Sequence, residues 1–323
     1  MNPNEKVVER RTLRAKPFSK SDRIFYNVAT AAANSSIVLV ALILIFLAIR
    51  SWPAFQSQGF SFITGSTWDN NPEHMVMQIG PMLWGSILIS GLGVLLAVPM
   101  AVSIAYFIVF MANKSVGRTV TILVDLLAAL PSVVLGLWGL IVFSPVAASW
   151  AELLNKSLGF LPFFQISGDN FLRSPFIASW VVAVMIVPII ASVTREIFSQ
   201  LDRELINASL ALGAGRWSTL RRVILPTSSG GIVGGILLGL GRALGETVAI
   251  YFVLNLVFDY NWINILDAKG GSVASMIMSK FGEAGPSEVA GLMAAGVVLF
   301  VVTLIVNSLA SYIVAKAQPW RRN

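Results

Sequence analysis

Six apolar runs, each long enough to cross a lipid bilayer, leave this chain few folds to choose from. They cover residues 28–49, 82–111, 119–143, 176–194, 230–257 and 289–314. A helix needs about 20 mostly apolar residues to cross a hydrocarbon core of ~30 Å. Transmembrane strands would instead show segments of about ten residues with alternating polarity. These runs are continuous, so they read as helices. Pro and Gly within them are tolerated where neighbouring helices cover the freed backbone groups. Composition closes the alternatives: 56% of residues are hydrophobic and 12% charged, whereas a soluble domain is about 25% charged. So little charge cannot clothe a soluble globule, and disorder needs low hydrophobicity. The expected fold class is all-α, a polytopic membrane protein with six transmembrane helices.

Lys and Arg sort by side. Lys6, Arg10, Arg11, Arg14, Lys16, Lys20 and Arg23 precede the first run, and Lys114 and Arg118 lie between the second and third. Arg195, Arg203, Arg216, Arg221 and Arg222 lie between the fourth and fifth, and Lys316, Arg321 and Arg322 end the chain. The alternate connections hold Arg50, Lys156, Arg173, Lys269 and Lys280. Seventeen against five places both termini in the cytoplasm. The outer connections also hold eight acids (Asp69, Glu73, Glu152, Asp169, Asp259, Asp267, Glu283 and Glu288) and are mildly acidic. They do not attract an anion over distance. The first run has 22 residues behind a long basic leader, too long for a signal-peptide core. The expected organisation is a leader over 1–27, a permease-like membrane domain over 28–315 with a cytoplasmic loop at 195–226, and a tail over 316–323. Orientation and anionic lipid account for the leader without a nucleic-acid partner.

Several chemistries are excluded outright. The chain has no cysteine and a single histidine, His74, so it lacks disulfides, thiolate nucleophiles and any multi-histidine metal site. His74 reads as a surface residue. No Gly-Lys dipeptide occurs, hence no Walker A motif. If ATP drives this protein, another chain hydrolyses it.

Two segments carry most of the information. The loop at 195–226 is far longer than a usual connection. Its pattern predicts a helix, a break at Gly213, Ala214 and Gly215, and a second helix ending before Pro226. Leu205, Ala208 and Leu212 share one face of the first helix at three- and four-residue spacing. Such a pair either docks a partner or lies on the bilayer, helped by Arg221 and Arg222. The fifth run has glycines at 230/234, 231/235, 235/239 and 241/245. Small residues four apart let helix backbones approach closely, so this helix should be buried against partners. Within it stand Arg242 and Glu246, which on one continuous helix share a face. Charge near the bilayer centre costs at least ~2.5 kcal/mol. The pair is therefore either an ion pair that fixes packing or part of an anion pathway, with the Arg fork suited to phosphate or carboxylate. Asp125, near the start of the third run, is a weaker candidate that could also snorkel or pair. Leu130, Pro131 and Ser132 should bend that run. Trp52, Trp68, Trp150, Phe163 and Phe164 in the outer connections read mainly as interface anchors.

A resemblance sharpens this. The loop resembles the signature loop of binding-protein-dependent ABC importer permeases. Asn207, Ala208 and Ser209 stand where that family has Glu-Ala-Ala, Gly213 holds its position, and Val223, Ile224, Leu225 and Pro226 close the motif. The resemblance implies an ATPase-docking loop carried by Asn207, Ala208, Ser209, Gly213, Leu225 and Pro226. Asn in place of Glu puts a specific salt bridge to the ATPase in doubt, and leaves docking intact. The text GGIVGGILLGLGRALGET is similar to the fifth span of PstC-type permeases of phosphate-specific ABC importers. DLLAALPSVVLGLWGL and VPIIASVTREIF resemble that family's third and fourth spans. This implies a six-span type I permease with phosphate moving past Arg242 and Glu246. The implied partners are a PstA-type permease, a PstB-type ATPase dimer and a PstS-type phosphate-binding protein. ATP and Mg would sit on the ATPase, with no cofactor and no catalysis on this chain.

Three rivals remain at this point. A permease for sulfate or molybdate fits the loop equally, although the GRALGE text argues against it. An ion-driven secondary carrier predicts an inverted repeat and no docking loop. A membrane sensor or scaffold would have no need of an intramembrane Arg and Glu.

Overall fold

The computed structural model describes residues 19–317 except 72 and 169. Lys6, Arg10, Arg11, Arg14, Lys16, Arg321 and Arg322, with Asp169, lie outside the described residues. Six helical runs among the described residues are long and apolar enough to cross a membrane. The first, α1 (Lys20–Gln58), begins within the expected leader and continues past the apolar run. Among the described residues, those up to Ile49 form one compact unit and those from Arg50 onward form another.

The second unit opens with the end of α1, where Ala54 packs with Phe62 of the single turn α2 (Ser61–Thr64). A short hairpin follows, β1 (Trp68–Asp69) with β2 (Val76–Met77), antiparallel with Trp68 opposite Met77. Then come α3 (Gly80–Tyr106), α4 (Lys114–Ala129), α5 (Ser132–Trp138), α6 (Ser144–Leu158) and α7 (Pro175–Ser199). They are followed by α8 (Arg203–Ala211), α9 (Arg216–Thr219), α10 (Leu225–Leu244), α11 (Val248–Val253), α12 (Val273–Lys280) and α13 (Pro286–Ala317).

The third span differs from expectation. The chain leaves the helical region at Leu130 and Pro131 (ψ 132° and 140°), so α4 ends there. The expected bend is a full break, because Pro131 cannot donate and its ring disfavours a helical residue before it. The apolar run long enough to cross is Ser132–Leu158 instead of 119–143. It passes Pro145 through a π turn at Gly139–Phe143, where the Ser144 hydroxyl donates to the Gly139 carbonyl at 2.8 Å. A second π turn, Leu220–Ile224, precedes Pro226. A wider turn relieves the clash between a proline ring and the carbonyl four residues back. The second loop helix, expected to end before Pro226, therefore does not stop there. It continues without interruption from Arg216 to Leu244.

α7 lies at the centre. It is apolar along most of its length and mostly buried, packed against α3, α10, α4 and α11. Its contact with α10 uses the predicted glycines. A Cβ on Gly231 would meet Ile197, one on Gly235 would meet Val193, and one on Gly239 would meet Ile190. Gly234 faces open space, so the contact with α7 uses the 231/235/239 set and not Gly234.

At the hairpin end, the Trp68 indole donates to Glu288 Oε1 at 2.8 Å and Trp68 stacks on Phe258. Tyr260 stacks on Trp262 and donates to the Thr64 carbonyl at 2.7 Å, and burial pushes its phenol up. His74 is exposed there.

Candidate functional site

The fifth span does not carry Arg242 and Glu246 on one helix. α10 ends at Leu244, and the helix resumes only at Val248. Gly241 and Gly245 supply little helix propensity at this point. The carboxylate then offers a better ending than a continued helix. Glu246 is 8% exposed, and its Oε1 accepts the Ala249 N–H at 3.1 Å, satisfying a free donor at the start of α11. Arg242 is exposed in the last turn of α10. The pair thus corrects the expectation of a shared face: the break turns the two side chains to separate environments. Among the described residues Arg242 makes no ion pair.

Asp125 has a partner. Its Oδ1 lies 3.9 Å from Arg195 Nη1, with Asp125 half exposed and Arg195 largely covered. Arg195 belongs to α7, which runs on to Ser199, so the free-standing loop begins later than expected. A residue that sequence reasoning missed sits near Arg242. Asn307 of α13 brings its amide nitrogen beside Gly241, and its Oδ1 is buried without a partner. A lone amide in an apolar span was the available signal.

The loop forms a compact helix pair. Asp202 caps α8 by accepting the Glu204 N–H at 2.8 Å. Gly213, with φ 82°, ends it. Its N–H donates to the Leu210 carbonyl and the Ala214 N–H to the Ser209 carbonyl, a Schellman closure that favours glycine. Leu205, Ala208 and Leu212 are all exposed on one face, while Ile206 joins the cluster of Ala105, Phe198 and Ile224. Asn207 is exposed beside Ala208. The Ser209 and Thr219 hydroxyls meet at 3.1 Å and tie α8 to α9. Leu225 and Pro226 begin α10. The residues expected to dock a partner therefore lie on α8 and its closing turn, except that Leu225 and Pro226 stand on the membrane helix.

This arrangement, with its long apolar helices and exposed short helix α8, has clear relatives. A family model described as binding-protein-dependent transport system inner membrane component matches residues 93–318. The chain belongs to this family. It is accordingly a multi-pass membrane permease component. A phosphate transport system permease protein PstC from Haemophilus influenzae is 37% identical over 92% of this chain and 94% of its own length. A phosphate transport system permease protein PstC 2 from Mycobacterium tuberculosis is 36% identical, covering 91% and 92%. Among solved structures, the inward-facing MetNI methionine ABC transporter aligns with a TM-score of 0.52 at 17% identity, covering 73% of this chain and 94% of its own. That likeness supports the type I permease fold.

Proposed function

We propose that this permease is the membrane subunit of an ATP-driven importer for inorganic phosphate and forms half of its translocation pathway. The observation that carries the substrate is the 37% identity over 92% of the chain to a phosphate transport permease. Its partners are a second permease of PstA type, an ATPase dimer of PstB type and an extracytoplasmic phosphate-binding protein of PstS type. ATP and Mg stay on the ATPase. Both termini lie in the cytoplasm, as the distribution of Lys and Arg argues.

In that orientation α8 meets the ATPase through Leu205, Ala208 and Leu212. The hydroxyl contact between Ser209 and Thr219 and the turn at Gly213 join α8 to α9. Helix then runs unbroken to Leu244. Closure of the ATPase pair would move α8 and carry α10 with it. Arg242 stands at the far end of α10, where its planar fork fits a phosphate oxyanion. Glu246 shapes the break beyond it, and Asp125 with Arg195 ties α4 to α7. The test is complementation. Cells lacking high-affinity phosphate uptake, given this chain with its partner subunits, should regain uptake of labelled phosphate that excess sulfate or molybdate does not inhibit. Uptake of sulfate or molybdate in its place overturns the reading.

A further inference from the structure

A second cation, outside the fifth span, is placed for an anion. Arg173 stands just before α7 in a left-handed backbone conformation, φ 55°. That region is uncommon for a residue with a Cβ, and such outliers cluster at functional sites. Arg173 is exposed, so packing of its side chain does not account for the conformation. Its Nη1 donates to Asn255 Oδ1 at 3.3 Å. With Tyr251, Ser275 and Leu140, these residues line a cavity of about 350 Å³, within the range of about 300–1,000 Å³ that small-molecule sites occupy.

The partner of Arg173 sets it apart. Lys156, Lys269 and Lys280 each lie within 4.0 Å of a carboxylate, on Glu152, Asp267 and Glu288 respectively. Among the described residues Arg173 meets no carboxylate. Its hydrogen bond goes to a neutral amide, so the guanidinium keeps its charge and most of its donors. Asn255, accepting with its oxygen, keeps its NH₂ as a further donor, and the half-exposed Tyr251 hydroxyl is another. Donors gathered in a cavity without a facing carboxylate suit an oxyanion.

We infer that Arg173, Asn255 and Tyr251 form an outer receiving site for a tetrahedral oxyanion, filled before the ion reaches Arg242. That the ion is inorganic phosphate rests on the function proposed above. α11 links the two places. Asn255 follows its end and Glu246 caps its start, and its six residues span ~9 Å. A mildly acidic outer face is no obstacle, because an ion handed over by a binding protein needs only short-range donors.

The test uses the complete reconstituted importer. Arg173→Gly removes the guanidinium, and glycine adopts φ 55° without strain, so the fold is relaxed instead of broken. The melting temperature of the complex should hold or rise, while uptake per folded complex falls roughly ten- to a hundredfold. In the unaltered complex without its binding protein, inorganic phosphate should slow phenylglyoxal modification of Arg173, read by mass spectrometry. Normal uptake by Arg173→Gly overturns the site, as does a loss matched by loss of folded complex. Absence of protection by the transported ion also overturns it. Failure of the phosphate reading looks different: the unaltered importer moves sulfate or molybdate, and protection is then measured with that ion.

Discussion

Arg242 and Glu246 are each placed at a helix end that suits their charge. A cation is favoured at the C-terminus of α10 and a carboxylate at the N-terminus of α11, by about 0.3–1 kcal/mol each. Neither depends on the other. Arg242→Gln should therefore abolish uptake with folded protein unchanged, and Arg242→Lys should be clearly impaired, since it keeps charge without the fork. Glu246→Gln keeps an acceptor for the Ala249 N–H and should cost little stability. The double change to Gln at both positions should show coupling below about 0.5 kcal/mol in thermal melts, as for independent sites. Rescue of stability and uptake in that double variant would instead mean that the two residues only hold helices together. Both residues were legible as charges in an apolar run. Their separation was not, because it depends on where the helix stops.

At the scale of elements, α8 and its closing turn are the part most exposed to test. Gly213→Val places a β-branched side chain at φ 82°, a left-handed conformation that costs roughly 1–2 kcal/mol. Ala208→Trp fills the exposed face beside Leu205 and Leu212. In the assembled importer the two together should uncouple ATP hydrolysis from uptake while leaving membrane insertion intact. Normal uptake in the combined variant would remove the docking assignment. The break at Gly213 was readable, because glycine ends helices by taking φ values closed to other residues. The continuity of α9 with α10 was not. Pro226 reads as a stop in a linear pattern, and the π turn before it absorbs the clash.

For the whole molecule, α7 packs against both α3 and α10 and so fixes where α10 runs. Gly231, Gly235 and Gly239 bring α10 against α7, while α10 carries Arg242 at one end and continues from α9 at the other. The purified chain in liposomes should neither hydrolyse ATP nor accumulate phosphate. Robust uptake by the chain alone, driven by an ion gradient, would favour a secondary carrier.

The length and continuity of the apolar runs determined that this protein crosses a membrane six times as helices, because hydrocarbon admits only helices and closed barrels and barrel strands would be short and alternating in polarity. Spacing within the loop located α8, its exposed face and Gly213, since those depend on helical period and a single residue's φ. Tertiary structure alone decided the rest. Whether Pro131, Pro145 and Pro226 break or merely bend a helix depends on what the neighbours and π turns can absorb. Which glycine face of α10 is used depends on where α7 lies. Arg173 was legible only as one more outer cation. Its hydrogen bond to Asn255 joins residues 82 positions apart in the chain, and no local pattern records such a contact.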